Sequence, residues 1–171
     1  MDYDIAIIGY GPVGAMAANM FGSSGLNIVV IEPKKEIWNI PRAVALDGQA
    51  QRIFQSCGIS NNIPVKPIDG LTFINKKGQQ IVYVDFTDHS MPNGYSETVG
   101  FSQPNLERTL REQAESYKNI TFKLGSSLSN LVASENNNEL TVMNNVTNET
   151  EVISSKYLLA CDGADSFVRK N

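Results

Sequence analysis

Apolar positions change their period several times along this chain, and the changes mark out its elements. The chain opens on an uninterrupted run, Ile5-Ala6-Ile7-Ile8, of the kind a strand buried on both faces requires. After Gly9-Tyr10-Gly11-Pro12-Val13-Gly14 the spacing turns helical. Val13, Ala17, Met20 and Phe21 fall at i, i+4, i+7 and i+8 and are expected to form the apolar face of a helix. A second continuous run, Ile28-Val29-Val30-Ile31, follows Gly25 and ends on Glu32, where Pro33 stops the strand. Two such strands with a helix between them describe a βαβ unit in a parallel sheet.

Beyond Pro33 a polar loop leads to Pro41-Arg42. Ala50, Ile53, Phe54 and Cys57 recur with helical spacing, which predicts a helix from about Gln49 to Cys57, capped by Asp47 and stopped by Gly58. Strands are expected from Ile68 to Ile74 and from Gln80 to Phe86, joined by the hairpin signal Asn75-Lys76-Lys77-Gly78. Asp88 to Glu97 reads as an irregular loop. Pro104 at a first helical position makes Gln103 the N-cap of the next helix. Its apolar face is Leu106, Leu110, Ala114 and Tyr117, with Arg108, Arg111, Glu112 and Glu115 mostly off it. After a short strand at Ile120 to Phe122, three strands form an antiparallel meander, at about Leu128 to Ser134, Leu140 to Val146 and Glu151 to Ser154. Tyr157-Leu158-Leu159-Ala160 is again wholly apolar and returns the chain to the parallel sheet, just before Cys161-Asp162-Gly163-Ala164-Asp165-Ser166-Phe167-Val168-Arg169.

Composition narrows the classes. A length of 171 residues suits about one domain and can bury a real core. The chain is 42% apolar and 19% charged, and the shortfall is made up by amides such as Asn136-Asn137-Asn138 and Asn144-Asn145, a solvated-loop composition. A net charge of −4 gives no reason to expect nucleic acid or an anionic membrane surface. Two cysteines, Cys57 and Cys161, with one histidine, His89, make neither a disulfide framework nor a metal-ligand pattern. The N-terminus runs straight into a strand carrying Asp2 and Asp4, unlike a secretory leader, and no apolar run approaches the ~20 residues that span a bilayer. A soluble, cytoplasmic setting is expected.

The glycines of the first motif have separate tasks. Gly9 makes the tight turn off the strand, Gly11 admits a pyrophosphate to the backbone, and Gly14 lets the helix lie close on the sheet. With Pro12 and Val13 they open a helix whose N-terminus offers N–H groups and a positive dipole end to phosphates. Glu32 sits about 20 residues beyond, where a carboxylate can accept hydrogen bonds from ribose hydroxyls. It opposes a 2′-phosphate, although Lys34 and Lys35 follow closely. An adenine dinucleotide is the expected ligand. The motif leaves NAD and FAD both open.

Taken together, these residues resemble the group A, single-component flavoprotein aromatic hydroxylases of the para-hydroxybenzoate hydroxylase superfamily. The stretch Pro41-Arg42-Ala43-Val44-Ala45-Leu46-Asp47-Gly48 through Arg52-Ile53-Phe54-Gln55-Ser56 looks most like the 3-(3-hydroxyphenyl)propionate and phenol-hydroxylase-like members. The resemblance implies an α/β fold: a Rossmann-like FAD-binding domain with a parallel sheet and a meander crossover, and a short hairpin from a substrate-side sheet. On that reading residues 1–171 form one incomplete FAD-binding domain, with 68–98 an excursion toward the substrate. Gly9, Gly11, Gly14, Glu32 and Pro33 match the ADP-binding motif. Arg42 matches an arginine near the FAD phosphates and Gln103 a glutamine on the flavin side. Cys161-Asp162-Gly163 with Ser166 and Arg169 matches a motif associated with both FAD and the nicotinamide donor.

The implied activity is hydroxylation of a small phenolic substrate, with NADH or NADPH reducing FAD and a C4a-hydroperoxyflavin passing on one oxygen. The cofactor carries that chemistry, so no catalytic side chain is assigned. The family's third, ribityl-binding fingerprint is not in this sequence, and apolar surface left uncovered is expected to favour self-association. Other flavoenzymes of the fold (a halogenase, an epoxidase, a ubiquinone-type hydroxylase) and a non-catalytic dinucleotide-binding fragment are the alternatives. A plain NAD-dependent dehydrogenase ranks behind them because of the meander.

Overall fold

The computed structural model describes residues 2–87, 91, 93–135 and 137–171; His89, Asn136 and part of the loop expected over 88–97 lie outside them. Two compact units emerge, one of Met1–Asn39 with Glu107–Asn171, the other of Ile40–Leu106. The chain begins with β1 (Tyr3–Ile8), α1 (Pro12–Gly22) and β2 (Ile28–Glu32), the βαβ unit that the hydrophobic runs predict. Next come β3 (Ala45–Asp47), α2 (Gly48–Ser56), a 3-10 turn (Ser60–Asn62), β4 (Val65–Pro67), β5 (Gly70–Ile74), β6 (Gln80–Asp85) and β7 (Thr98–Phe101). Helix α3 (Gln103–Glu115) is followed by β8 (Ile120–Leu124), β9 (Ser126–Ala133), β10 (Asn138–Asn144), β11 (Thr150–Ala160) and α4 (Phe167–Lys170). No helix among the described residues is long and apolar enough to cross a membrane.

The first unit is built on a six-stranded sheet in the order β8-β2-β1-β11-β10-β9. Its first four strands run parallel, and β10 and β9 extend it antiparallel. Ala6, Ile8, Val29 and Ile31 pack with Leu128, Leu140, Val142 and Ile153 of the meander. The alternate residues Ile5, Ile7, Ile28 and Val30 point to the other face and are equally buried. Helix α1 lies against both strands. Burial on both faces is what the unbroken apolar runs require.

Two expectations need correction here. The last meander strand and the apolar return strand are a single strand, β11. Its first half pairs antiparallel with β10, and its second half pairs parallel with β1, from Ser155 opposite Tyr3 to Ala160 opposite Ile8. The expected apolar face of α1 is also not the buried one. Val13 is 70% and Met20 47% exposed, while Gly14, Ala15, Ala18, Asn19 and Gly22 face inward. The cause is close approach. A Cβ on Gly22 would lie 2.8 Å from Cγ of Tyr117, and Asn19 is buried because its Nδ2 donates to the Ala15 and Leu110 carbonyls, each at 2.8 Å.

In the second unit β3, β7 and β4 form a small antiparallel sheet, which sequence periodicity does not predict because strands of three and four residues hold too few two-residue repeats for alternation to stand out. Asp47 caps α2 as expected, its Oδ1 accepting from Ala50 N at 2.7 Å. The expected hairpin is present as β5-β6, its turn closed on Asn75 Oδ1, which accepts from Lys77 N and Gln79 N. Leu71, Phe73, Ile74, Ile81, Val82 and Tyr83 of this hairpin are exposed.

Enlarging the small-residue face of α1 should therefore cost stability while trimming its outer face should not. Ala18→Leu is expected to destabilise by about 1–3 kcal/mol through overpacking, and Val13→Ala to change stability by no more than about 0.5 kcal/mol. Urea unfolding of both variants checks this, and the reverse ranking would restore the large-residue face.

Candidate dinucleotide-binding site

Strands β1, β2 and β11 end at the same edge of the sheet, and three backbones meet there. Gly9 continues the ladder, donating to Ile31 O at 2.8 Å, while Cys161 N donates to Ile8 O at 2.7 Å. Gly9 has φ +96°, and a Cβ on it would lie 2.7 Å from the Cys161 carbonyl carbon and 3.0 Å from Asp162 Cα. A Cβ on Gly14 would lie 2.9 Å from the Gly9 carbonyl carbon and 3.3 Å from Cys161 Cβ. Both glycines are thus demanded by the protein's own packing. Gly11 differs: its φ is an ordinary −70° and none of the described residues lies within 4 Å of a Cβ built on it. Neither strain nor packing explains that glycine, and a ligand approaching the backbone would. Gly11 is the N-cap of α1 with no side-chain cap bond, and Pro12 follows at the first helical position.

Glu32, half-buried at the end of β2, turns its carboxylate to the same turn. Oε2 accepts from Tyr10 N at 2.7 Å and Oε1 from Lys34 N at 3.0 Å. A carboxylate has about four acceptor positions, so the two used here leave others for hydroxyl donors. Pro33 is exposed and its carbonyl accepts from Asn145 Nδ2 at 3.2 Å. Lys34 stacks its ammonium over Trp38, 4.2 Å from the ring centroid, a cation–π contact.

Asp162 follows β11 and organises the next turn. Its Oδ2 accepts from Val168 N at 3.1 Å, and the buried Ser166 hydroxyl both donates to the carboxylate and accepts from Arg169 N at 3.0 Å. Arg169 Nη2 donates to Ala164 O. Asp162 Oδ1 is buried without a hydrogen-bond partner among the described residues, an unmet acceptor at the strand end where α/β sheets hold ligands. Gly163 needs no space but has φ +81°, which favours glycine. Burial works to raise the Asp162 pKa, yet the bonds from Ser166, Val168 and neighbouring backbone outweigh it and hold the carboxyl below its ordinary 3.8. The Cys161 thiol is pushed up by burial and then by the adjacent Asp162 charge.

The first unit thus brings together Gly9, Gly11, Pro12, Val13, Gly14, Glu32, Pro33, Asp162 and Gly163. Arg42 and Gln103 lie in the second unit and meet each other there. Gln103 is not an N-cap. Leu106 N donates to Ser102 O at 2.9 Å, so Ser102 holds the cap position, and the buried Gln103 side chain accepts from Arg42 N at 2.7 Å and Ala43 N at 2.9 Å. Sequence reasoning also set Arg111 off the buried face of α3. It is 7% exposed, paired with Glu107 (3% exposed) at 2.8 Å, and donates to the carbonyl of Tyr10. The Glu107–Arg111 spacing of four was visible, but such pairs are usually solvated.

The lowered Asp162 carboxyl contributes stability that is full above 3.8 and is lost as pH falls through its lower folded value. Asp162→Asn should therefore reduce Tm at neutral pH, with the gap to the wild type closing in acid. A gap that stays constant from pH 7 to pH 2 would detach the effect from ionisation.

A model of the FAD binding domain family matches residues 2–171. The chain is 30% identical over 169 residues to the 3-(3-hydroxy-phenyl)propionate/3-hydroxycinnamic acid hydroxylases of Escherichia coli O8 (strain IAI1) and Shigella sonnei (strain Ss046), covering 97% of this chain and 30% of each relative. Among solved structures, the flavin-dependent monooxygenase PieE in complex with FAD and substrate matches with TM-score 0.87 and 21% identity, over 99% of this chain and 32% of that one. The p-nitrophenol 4-monooxygenase PnpA from Pseudomonas putida DLL-E4 matches with TM-score 0.87 and 20% identity, over 98% and 42%. The chain spans about a third of the length of the curated relatives it matches. With its glycine turn, its strand-end acid and its meander in place, the chain belongs to the FAD-binding domain family and carries the fold of the FAD-dependent aromatic hydroxylases.

Proposed function

We propose that this chain holds FAD and serves the hydroxylation of a small phenolic substrate with NADH or NADPH as electron donor. The observation that carries the reading is the open space over Gly11; the spare acceptor positions of Glu32 and the unpartnered Asp162 Oδ1, at the ends of neighbouring strands, support it. Glu32 would accept from the adenosine ribose. Gly11 with Pro12, Val13 and Gly14 would admit the pyrophosphate to the N-terminus of α1. Asp162 and Gly163 would meet the sugar-alcohol chain or the nicotinamide donor. Resemblance adds Arg42 and Gln103 of the second unit, Gln103 donating through Nε2 because its Oε1 is already occupied by Arg42 N and Ala43 N. FAD, when bound, supplies acceptance of hydride and activation of O₂ for transfer of one oxygen atom to an aromatic ring. The protein's part is to bind, orient and exclude water. Residues 1–171 act in this reading as one FAD-binding domain with 68–98 reaching toward the substrate. The free thiols of Cys57 and Cys161 fit a reducing cytoplasmic compartment.

The chain's one-third share of its relatives and the exposed apolar hairpin β5-β6 favour a second reading, a dinucleotide-binding unit that turns nothing over alone and self-associates. Light scattering together with NADH- or NADPH-driven turnover of a panel of phenols separates the two. Product formation by a monomer excludes the second reading.

The first reading is tested by the visible spectrum of the purified protein after addition of FAD. Saturable but weak flavin binding is expected of this chain, and no binding at any FAD concentration would overturn the reading. Gly11→Val sets its Cβ in open space, so it should abolish FAD binding while costing no more than about 1 kcal/mol of stability. Glu32→Ala should weaken binding by about 1.5–3 kcal/mol if its charged hydrogen bonds to ribose form, as calorimetry would read.

A further inference from the structure

Helix α3 buries two charged side chains one turn apart, Arg111 and Glu107. Such a pair is seldom worth more than apolar residues of the same volume, so its position bears on what it is for. Arg111 Nη2 donates both to Glu107 Oε1 and to the backbone carbonyl of Tyr10, each at 2.8 Å. Its guanidinium lies 4.5 Å from the centroid of the Tyr10 ring, which is fully buried and 5.2 Å from Phe122 on its other contact. Burial, with Glu115 and Glu107 adding to it and Arg111 opposing, pushes the Tyr10 phenol above its ordinary range. The ring is therefore a neutral anchor. Tyr10 stands between Gly9 and Gly11, and its N–H is taken by Glu32 Oε2 at 2.7 Å.

The peptide groups on both sides of Tyr10 are thus fixed, one by an acid and one by a base. In a trans peptide the carbonyl of one residue and the N–H of the next point in opposite directions, and no described peptide is cis. A Tyr10 carbonyl drawn to Arg111 turns the Gly11 N–H away from Arg111. That N–H belongs to the one glycine of the turn with open space above it.

We propose that Arg111 is a positioning residue for dinucleotide binding: through the Tyr10 carbonyl it sets the Tyr10–Gly11 peptide so that the Gly11 N–H is presented to a diphosphate. This rests on the reading of the turn as a dinucleotide site. Glu107 balances the guanidinium charge and fixes its plane, so the pair acts through geometry and not through its field. A lysine keeps the charge, but its ammonium is a compact point charge on a flexible stem and lacks the flat guanidinium that lies 4.5 Å from the centroid of the Tyr10 ring.

The test uses the ¹⁵N-labelled chain, with ADP as probe, and compares wild type, Arg111→Lys and Glu107→Gln by amide spectra, ADP titration and thermal unfolding. The expected result for Arg111→Lys is at least a tenfold loss of ADP affinity measured well below Tm, with amide shifts concentrated at Tyr10 to Gly14. Glu107→Gln should shift the same amides, and it carries the test if Arg111→Lys does not fold. Wild-type ADP affinity in a folded variant overturns the proposal and leaves the dinucleotide reading intact. So does weakened affinity with the Tyr10 to Gly14 amides unmoved, since a merely structural loss would act elsewhere. A wild-type chain that binds no ADP overturns the dinucleotide reading, and the role of Arg111 with it.

Discussion

The contact on which the rest depends is one of backbone against backbone, where Gly9 meets the Cys161–Asp162 peptide and Gly14 meets Gly9. No side chain fits between them. With those three segments touching, the ends of β1 and β11 and the start of α1 are held as one piece, and α1 is pulled so close to the sheet that its inner face is Gly14, Ala15, Ala18 and Gly22 with Asn19. The Tyr10 ring has to leave this crowded turn and finds its place in the interior beneath Arg111. Overpacking such a junction is costly because interiors already have the density of organic crystals.

Much of this was legible in the residues. The runs Ile5–Ile8 and Ile28–Ile31 read correctly as strands buried on both faces, and the intervening glycine motif marked the turn. Asp47 and Asn75 announced a cap and a hairpin because their short side chains fold back on local backbone. The failures have a common origin. Periodicity rules assume that large apolar residues point inward, and α1 reverses that because proximity to the sheet selects for small ones. Arg111 was set off the apolar face for the complementary reason: charge patterns along a helix carry no information about a backbone carbonyl brought in from a hundred residues away. For β11 the change from polar to apolar composition reflects a change of neighbour, from β10 to β1, within one unbroken strand.

A second regularity runs through both units. The irregular segments are tied down by single side-chain acceptors that collect backbone N–H groups. Glu32 takes those of Tyr10 and Lys34, Gln103 those of Arg42 and Ala43, and Asp162 that of Val168. Backbone groups left unpaired in buried segments are expensive, and one side chain meets two such demands at Gln103, through a single oxygen, and at Glu32, through both of its oxygens. It also explains why three positions proposed for cofactor contact also hold their own loops in shape. Loss of either role would impair the other.

The single strand β11 has a consequence for how this chain is made. β1 lies inside the sheet, yet one of its two neighbours ends at Ala160, and the Asp2–Ser154 hydrogen bond joins residues 152 apart in sequence. During synthesis the first strand leaves the ribosome with that edge bare and must wait for nearly the whole described chain before it is filled. Non-local parallel pairing of this kind folds slowly, and an open, wholly apolar strand edge is a template for pairing with another chain. The interval before β11 arrives is therefore the one in which the β1 edge is open to pairing with another chain.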